Sequence, residues 1–167
     1  MKLIGLFLLV VCSFKNVSAQ DFDARLQTVF IYQITNYFQW PNDHETFTIG
    51  VLGKTPLLKE LYKLAAAKKI KNKTIIIKQF NSISSVTDCH ILFIPYKESL
   101  KIDSIKKMLK GKQVLLISEK PGMARKGASI NFVSIDGMMK FELNKSSYKA
   151  SGLRALPMIE KISLIIN

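Results

Sequence analysis

The sequence predicts an α/β fold, with a mostly parallel sheet, helices on both of its faces, and an antiparallel hairpin near the C-terminal end. The main observation is an alternation along the chain. Short apolar, β-branched segments are followed by segments in which apolar side chains recur at helical spacing. Further along, two strand-like segments flank Asp136-Gly137, a dipeptide typical of a two-residue hairpin turn.

The elements follow in order from these patterns. A first helix is predicted over residues 23–40, where Pro41 ends it, and a second over 56–70, with Pro56 in the first turn. A third helix is predicted from about residue 99 to 109. Strands are predicted at residues 47–53, 74–80, 90–96 and 114–118, and the hairpin strands at 129–135 and 138–143.

The C-terminal region after the hairpin is predicted to be helical. This helix starts near Ser146, has a break at Leu156-Pro157 and continues to Ile166.

The first nineteen residues have the pattern of a secretory signal peptide, with a basic start, a short apolar run and small residues that end at Ala19. The apolar run is shorter than the roughly 20 residues that a membrane span needs. Cleavage after Ala19 would make Gln20 the first mature residue and leave residues 20–167 as a single domain. The protein is therefore expected to work outside the cytoplasm.

Two other readings of the leader stay open. It could be retained as an N-terminal anchor, or it could be lipidated at Cys12. The residue before Cys12 is Val11, whereas a lipidation signal has a small residue there.

The charge balance narrows the classes of partner. The formal net charge is +13, and Lys supplies most of the excess, with Arg only at positions 25, 125 and 154. Sequence-specific nucleic-acid readers depend on the planar fork of Arg, so no nucleic-acid partner is predicted. A Lys-rich surface suits solubility, an anionic lipid or an acidic partner, and a generally Lys-rich composition would explain it equally well.

The sequence contains segments that partly resemble nucleotide-binding and metal-binding motifs, but none of them fits such a motif in full. Gly53-Lys54-Thr55 lies between a strand and a helix, as in a phosphate loop, but Thr48 stands where that motif requires a glycine. Asp43-His44-Glu45 has no standard metal-ligand spacing. No residue has a recognisable nucleophile setting. We therefore predict no catalytic residue, no metal site and no cofactor.

Aromatic residues cluster towards the end of the first predicted helix. Tyr37 and Trp40 are candidates for anchors that bind a partner protein, because Tyr and Trp are enriched at interface hot spots. Packing in the core, with Trp40-Pro41 closing the end of the sheet, is the competing interpretation.

The ordered segments resemble one known family. They are Tyr37-Phe38-Gln39-Trp40-Pro41, Phe47-Thr48-Ile49-Gly50-Val51-Leu52-Gly53, Asp88-Cys89-His90-Ile91-Leu92-Phe93-Ile94, Val114-Leu115-Leu116-Ile117-Ser118, Gly127-Ala128-Ser129-Ile130-Asn131-Phe132-Val133, Lys140-Phe141-Glu142-Leu143-Asn144 and Gly152-Leu153. In this order they are similar to the YfiR family of periplasmic proteins, DUF4154, over about residues 24 to 165.

The resemblance implies a non-enzymatic regulator in the periplasm, secreted across the inner membrane. The best-known member restrains an inner-membrane diguanylate cyclase from the periplasmic side and is sequestered by an outer-membrane lipoprotein. Its disulfide-linked redox control does not carry over, because Cys89 is the one cysteine left after the leader.

Two functional hypotheses remain. The first is a regulator in a cyclic-di-GMP pathway that binds the extracytoplasmic part of a membrane signalling protein, for which a diguanylate cyclase is a candidate, with a homodimer as an open option. The alternative is a small-ligand-binding sensor or transport accessory protein. A deep closed pocket would favour the alternative, and a broad apolar surface patch would favour the regulator.

Overall fold

The computed structural model describes residues 19–41 and 45–166. The helices are α1 (Ala19–Ile34), α2 (Leu57–Ala67), α3 (Ile102–Leu109), α4 (Lys145–Ala150) and α5 (Met158–Lys161). The strands are β1 (Phe38–Gln39), β2 (Thr46–Leu52), β3 (Lys69–Ile70), β4 (Lys73–Phe80), β5 (Ile91–Ile94), β6 (Leu115–Ser118), β7 (Ile130–Ile135), β8 (Met138–Asn144), β9 (Arg154–Ala155) and β10 (Leu164–Ile166).

Two of the predictions fall outside the described residues. These are the leader up to residue 18, and the Asp43-His44 part of the polar loop. Ala19 and Gln20, on either side of the predicted cleavage point, are the first two residues of α1.

The main sheet has eight strands in the order β10-β8-β7-β6-β5-β2-β4-β3. Strands β7, β6, β5, β2 and β4 are parallel to one another, whereas β3 pairs antiparallel with β4 and β8 pairs antiparallel with β7. A separate small sheet joins β1 to β9. The predicted α/β class is confirmed, and the sheet is more mixed than predicted.

Both faces of the sheet are covered, because the central strands are apolar on both sides. Ile91 and Phe93 of β5 pack in the cluster that includes α1 and α2. Leu92 and Ile94 pack in the cluster that includes α3. This division follows from the pleat, which turns successive side chains of a strand to opposite faces.

The hairpin of β7 and β8 turns at Asp136-Gly137, whose φ angles are 52° and 72°. Positive φ at both central residues matches the twist of the two strands. The hairpin does not form the edge of the sheet, however, because β10 pairs parallel with β8 outside it.

The first helix is shorter than predicted and ends at Ile34, well before Pro41. The Thr35 hydroxyl donates to the Tyr32 carbonyl (2.6 Å) in the closing turn, and the chain then enters β1. Pairing of β1 with β9, a segment far along the chain, overrides the helical periodicity that Tyr37 and Phe38 continue.

The predicted second helix also stops early, at Ala67, and the predicted C-terminal helix is wrong over its last part. Lys71 and Asn72 have positive φ and make the turn between β3 and β4. At the C-terminal end, α4 and α5 are short, and β10 lies where the prediction continued a helix. Pairing with β8 supplies hydrogen bonds to a segment of Leu and Ile that is well suited to a strand.

Candidate functional site

Trp40 lies at the amino-terminal edge of the parallel sheet, directly after β1. Its indole Nε1 donates to the His90 carbonyl oxygen (3.1 Å). Its ring meets Phe47 edge-on, with centroids 5.0 Å apart, and leans on Phe38 at 6.2 Å. Trp40 is partly buried, so it covers the ends of β2 and β5 and keeps part of its ring in solvent.

The groups beneath Trp40 are held by main-chain contacts. The Nδ1 atom of His90 accepts a hydrogen bond from the Thr48 amide (3.0 Å), and the imidazole stacks on Phe47 at 4.6 Å. Because it accepts this bond, Nδ1 is the unprotonated nitrogen of the ring. The contact joins the start of β2 to the residue that precedes β5.

A cation lies beside the same cluster. The Lys71 Nζ atom donates to the Phe38 carbonyl (2.5 Å) and lies 5.8 Å from the centre of the Trp40 ring. Burial, and secondarily the nearby Lys73 charge, lower the pKa of Lys71.

Tyr37 lies on the other side of β1 and is also partly buried. Its carbonyl oxygen accepts a hydrogen bond from the Leu156 amide (2.8 Å), next to the pairing of β1 and β9. The structure therefore separates the two aromatic candidates. Trp40 closes the edge of the sheet, whereas Tyr37 borders the C-terminal segment.

That C-terminal segment carries a dense set of exposed apolar side chains, which we call the C-terminal apolar surface. Its members are Leu156, Met158, Ile162, Leu164 and Ile165. Met158 and Ile162 are 50% and 51% exposed, and Leu164 and Ile165 are 38% exposed each. Because Leu164 and Ile165 are adjacent on a strand, they point to opposite faces, and neither face is fully covered.

Sequence reasoning missed this surface because it predicted a helix up to Ile166. The Leu-Ile-Ile run of β10, with its two β-branched residues, was the signal that could have indicated an outer strand. Several exposed apolar residues on one short segment are a common mark of a protein-binding site. Outer strands also present unpaired main-chain groups to a partner.

A cleft of about 390 Å³ lies at the opposite, carboxyl edge of the sheet. Here the strand order reverses between β2 and β5, the position at which open α/β sheets bind ligands. Glu119 lines the cleft and is held on both carboxylate oxygens. Its Oε1 accepts from the Tyr96 amide and its Oε2 from the Gln27 side chain, each at 2.8 Å.

The Gly53-Lys54-Thr55 turn lies at the same edge and is fixed by its own contacts. The Gly53 amide donates to the Phe80 carbonyl (2.7 Å), and its carbonyl accepts from the Gln79 side chain (2.9 Å). Gly53 has φ +78°, and a Cβ there would lie 3.1 Å from Glu98. These contacts account for the turn as a structural one.

The other described residues offer few reactive or metal-binding groups. Burial raises the pKa of the Cys89 thiol to about 12, which suppresses the reactive thiolate. Within residues 19–41 and 45–166, no three His, Cys, Asp or Glu side chains come together as a metal site would require. In the same residues, no helix combines the length and apolar character needed to cross a membrane.

Comparison with models of known protein families gives a match over most of the chain. The family model DUF4154, described as YfiR/HmsC-like, matches residues 24–159. No curated protein matches the chain.

Proposed function

This chain belongs to the YfiR/HmsC-like family, DUF4154, and from that premise we propose that it is a non-enzymatic periplasmic regulator. It acts by binding the extracytoplasmic part of a membrane signalling protein. A diguanylate cyclase of a cyclic-di-GMP pathway is the first candidate for that partner, and an outer-membrane lipoprotein is the candidate for a second one.

The observation that carries this proposal is the C-terminal apolar surface. Full burial of a Leu, Ile or Met side chain is worth about 1.5–3 kcal/mol, so covering a half-exposed one contributes about 1 kcal/mol. Met158 and Ile162 offer the largest gains on this segment, since each is about half exposed. Exposure of these apolar side chains to water is unfavourable in free energy, and a partner that covered them would remove that cost.

The outer strand β10 provides a second mode of contact. Its partner strand β8 lies on one side, and within the described residues the other side pairs with no strand. An extended segment of a partner could add there by main-chain hydrogen bonds, while Leu164 and Ile165 give side-chain specificity.

The experiment compares membrane pull-downs made with mature wild-type protein and with a Met158→Gln, Ile162→Gln variant. Gln keeps a similar length and removes the apolar surface. Exposed substitutions usually change stability by less than about 0.5 kcal/mol, so the variant should remain folded. We expect recovery of the membrane partner to fall at least about tenfold, equivalent to 1.4 kcal/mol.

The matched control is Leu100→Gln, because Leu100 is 78% exposed and lies in the turn before α3, outside the C-terminal segment. It should recover the partner as the wild type does. Equal recovery by all three proteins, or equal loss in both variants, would remove the C-terminal apolar surface from the proposal. Mass spectrometry of the recovered protein decides whether it is a cyclase.

Self-association is the competing use of the same surface, with a second copy of this chain as the occupant. Light scattering of the purified wild type and the Met158→Gln, Ile162→Gln variant tests it. A dimer that the variant dissociates would assign the surface to self-association.

We also propose that the leader is removed after Ala19 and that residues 20–167 form the mature domain. N-terminal sequencing of the periplasmic protein should begin at Gln20. A mature species that retains Cys12 would instead support the anchored or lipidated form.

A second candidate function, sensing of a small ligand, is favoured by the cleft at the carboxyl edge, which lies where the strand order reverses. Native mass spectrometry of protein isolated from the periplasm tests this function. A bound small molecule that is lost from a Tyr96→Ala variant would support it, and an unliganded protein would count against it.

A further inference from the structure

A second cleft, of about 460 Å³, lies beside the C-terminal end of α3, and several cationic side chains are among the residues that line it. We call it the cationic cleft. Its cations are Lys106, Lys107, Lys110, Arg125 and Lys126. No Asp or Glu is among the described residues that line it.

These charges are poorly compensated within the described part of the chain. Lys106 has a carboxylate partner in Asp103 at 3.9 Å, and that Asp103 side chain is 89% exposed. No described carboxylate lies within ion-pair distance of Lys107 or Arg125. Bringing like charges together without counter-charges costs folding free energy, so an external anion would be favoured there.

The end of α3 alone does not explain the cluster. Lysines in the last turn of a helix are stabilised by the helix dipole, which accounts for Lys106 and Lys107. Arg125 and Lys126 come from a separate turn, between β6 and β7. Two segments distant in sequence therefore bring their cations to one cleft.

Gly127 makes the approach of these segments close. Its φ is +109°, and a Cβ built on it would lie 2.8 Å from the Nζ atom of Lys106. A larger residue would therefore displace the Lys106 ammonium from the turn that carries Arg125 and Lys126.

The turn is also held rigidly. The Ser147 hydroxyl donates to the Gly127 carbonyl (2.6 Å), and the Asn144 side-chain amide donates to the Ala124 carbonyl (2.7 Å). The main chain that carries Arg125 and Lys126 is thus in place before any ligand arrives, which lowers the entropic cost of binding.

We propose that the cationic cleft binds a phosphate group, either of a free phosphorylated compound or of a lipid headgroup. A phosphate monoester carries up to two negative charges on three oxygens, and the phosphodiester of a lipid headgroup carries one charge shared by two oxygens. In either form, one group can accept charge-assisted hydrogen bonds from several cations. The volume is within the range of small-ligand sites, at roughly 300–1,000 Å³. The site makes no use of the C-terminal apolar surface and does not depend on the proposed regulatory function.

The experiment titrates mature protein with inorganic pyrophosphate by calorimetry at low salt. In parallel, flotation is measured with phosphatidylcholine vesicles that contain or lack phosphatidylglycerol. The variant is Lys107→Gln, Arg125→Gln. The control is Lys59→Gln, Lys68→Gln, which removes the same charge from exposed positions on and just after α2, the helix on the other face of the sheet.

We expect the cleft variant to weaken binding at least about tenfold and the control by less than about twofold, because charge-assisted hydrogen bonds are lost in the first variant alone. Pyrophosphate binding identifies a soluble phosphate as sufficient, and binding to anionic vesicles alone identifies a lipid headgroup. Thermal melting shows that both variants are folded.

Three outcomes would overturn the proposal. The first is that the wild type binds neither probe, and the second is equal weakening in the variant and the control. The third is that a Glu-rich peptide, titrated in parallel, binds more tightly than both phosphate probes. The last outcome would assign the cleft to an acidic protein.

Discussion

Replacing Trp40 with Ala removes the aromatic cover from the amino-terminal edge of the sheet. The ring contacts Phe47 and Phe38, and its Nε1 donates to the His90 carbonyl. The substitution therefore removes apolar burial, an edge-to-face aromatic contact and a hydrogen bond at the same time.

The expected magnitude follows from these parts. A fully buried Trp→Ala change costs about 3–5 kcal/mol, and Trp40 is only partly buried, which leaves about 2 kcal/mol for burial. The contact with Phe47 adds about 1 kcal/mol. The hydrogen bond adds at most about 1 kcal/mol, because the His90 carbonyl also accepts from the Leu115 amide (2.9 Å). We expect a total loss of about 3–4 kcal/mol in the free energy of unfolding.

The assay is urea denaturation followed by far-ultraviolet circular dichroism. Fluorescence does not serve the comparison, since Trp40 is the single tryptophan of the chain. Trp40→Phe keeps the ring contacts and loses the N–H donor, so its cost should be about 1 kcal/mol. Tyr62→Ala, an aromatic truncation at a site that is 53% exposed on α2, should change stability by less than about 0.5 kcal/mol.

A Trp40→Ala variant within about 0.5 kcal/mol of the wild type would refute this account of the sheet edge. If that stable variant also lost its membrane partner, Trp40 would be a binding anchor, with an expected loss of about 2 kcal/mol or more. Equal costs for Trp40→Phe and Trp40→Ala would mean that the hydrogen bond, and not the ring, carries the effect.

Three further predictions concern the opposite face of the sheet. Gly50→Ala should destabilise the fold by about 1–3 kcal/mol in the same urea assay, because a Cβ on Gly50 would lie 2.6 Å from the buried Phe80 ring; a neutral result would show that this ring can move. Cys89 should resist maleimide in the native state at neutral pH and react fully after denaturation, since burial raises its pKa to about 12, and rapid native labelling would contradict this. The ordinary pKa of this thiol is 9.0, so the stability that the neutral thiol contributes should be intact below pH 9 and should decline as the pH rises from 9 towards 12. Melting temperatures of the wild type and of Cys89→Ala, measured across this pH range, test this, because the decline due to Cys89 should be absent from the variant.

The sequence predicted those parts of the fold that depend on local pattern. Strands β2, β4, β5 and β6 lie within a few residues of their predicted positions, because each is an apolar or β-branched segment between clear breaks. The turn at Asp136-Gly137 was predictable because few residues adopt positive φ readily.

The errors lie where a distant segment decides the local structure. The end of the first helix and the strand β1 depend on pairing with β9, and β10 depends on pairing with β8. Tyr37 and Trp40 were identified as candidates from the sequence. Their separation to two sides of β1 was not, because helical spacing placed them on one continuous helix.

By itself the sequence determined the alternation of strands and helices, the hairpin turn, the basic charge and the family resemblance. These properties reside in short-range periodicity, single-residue conformational preference and composition, all of which are local. Tertiary structure alone decided the order of the strands, the exposure of the C-terminal apolar surface and the meeting of Lys106 with the turn at Gly127. Each of these depends on contacts between segments far apart in the chain. The free energies of such contacts compete with local conformational preference and cannot be inferred from the sequence of one segment.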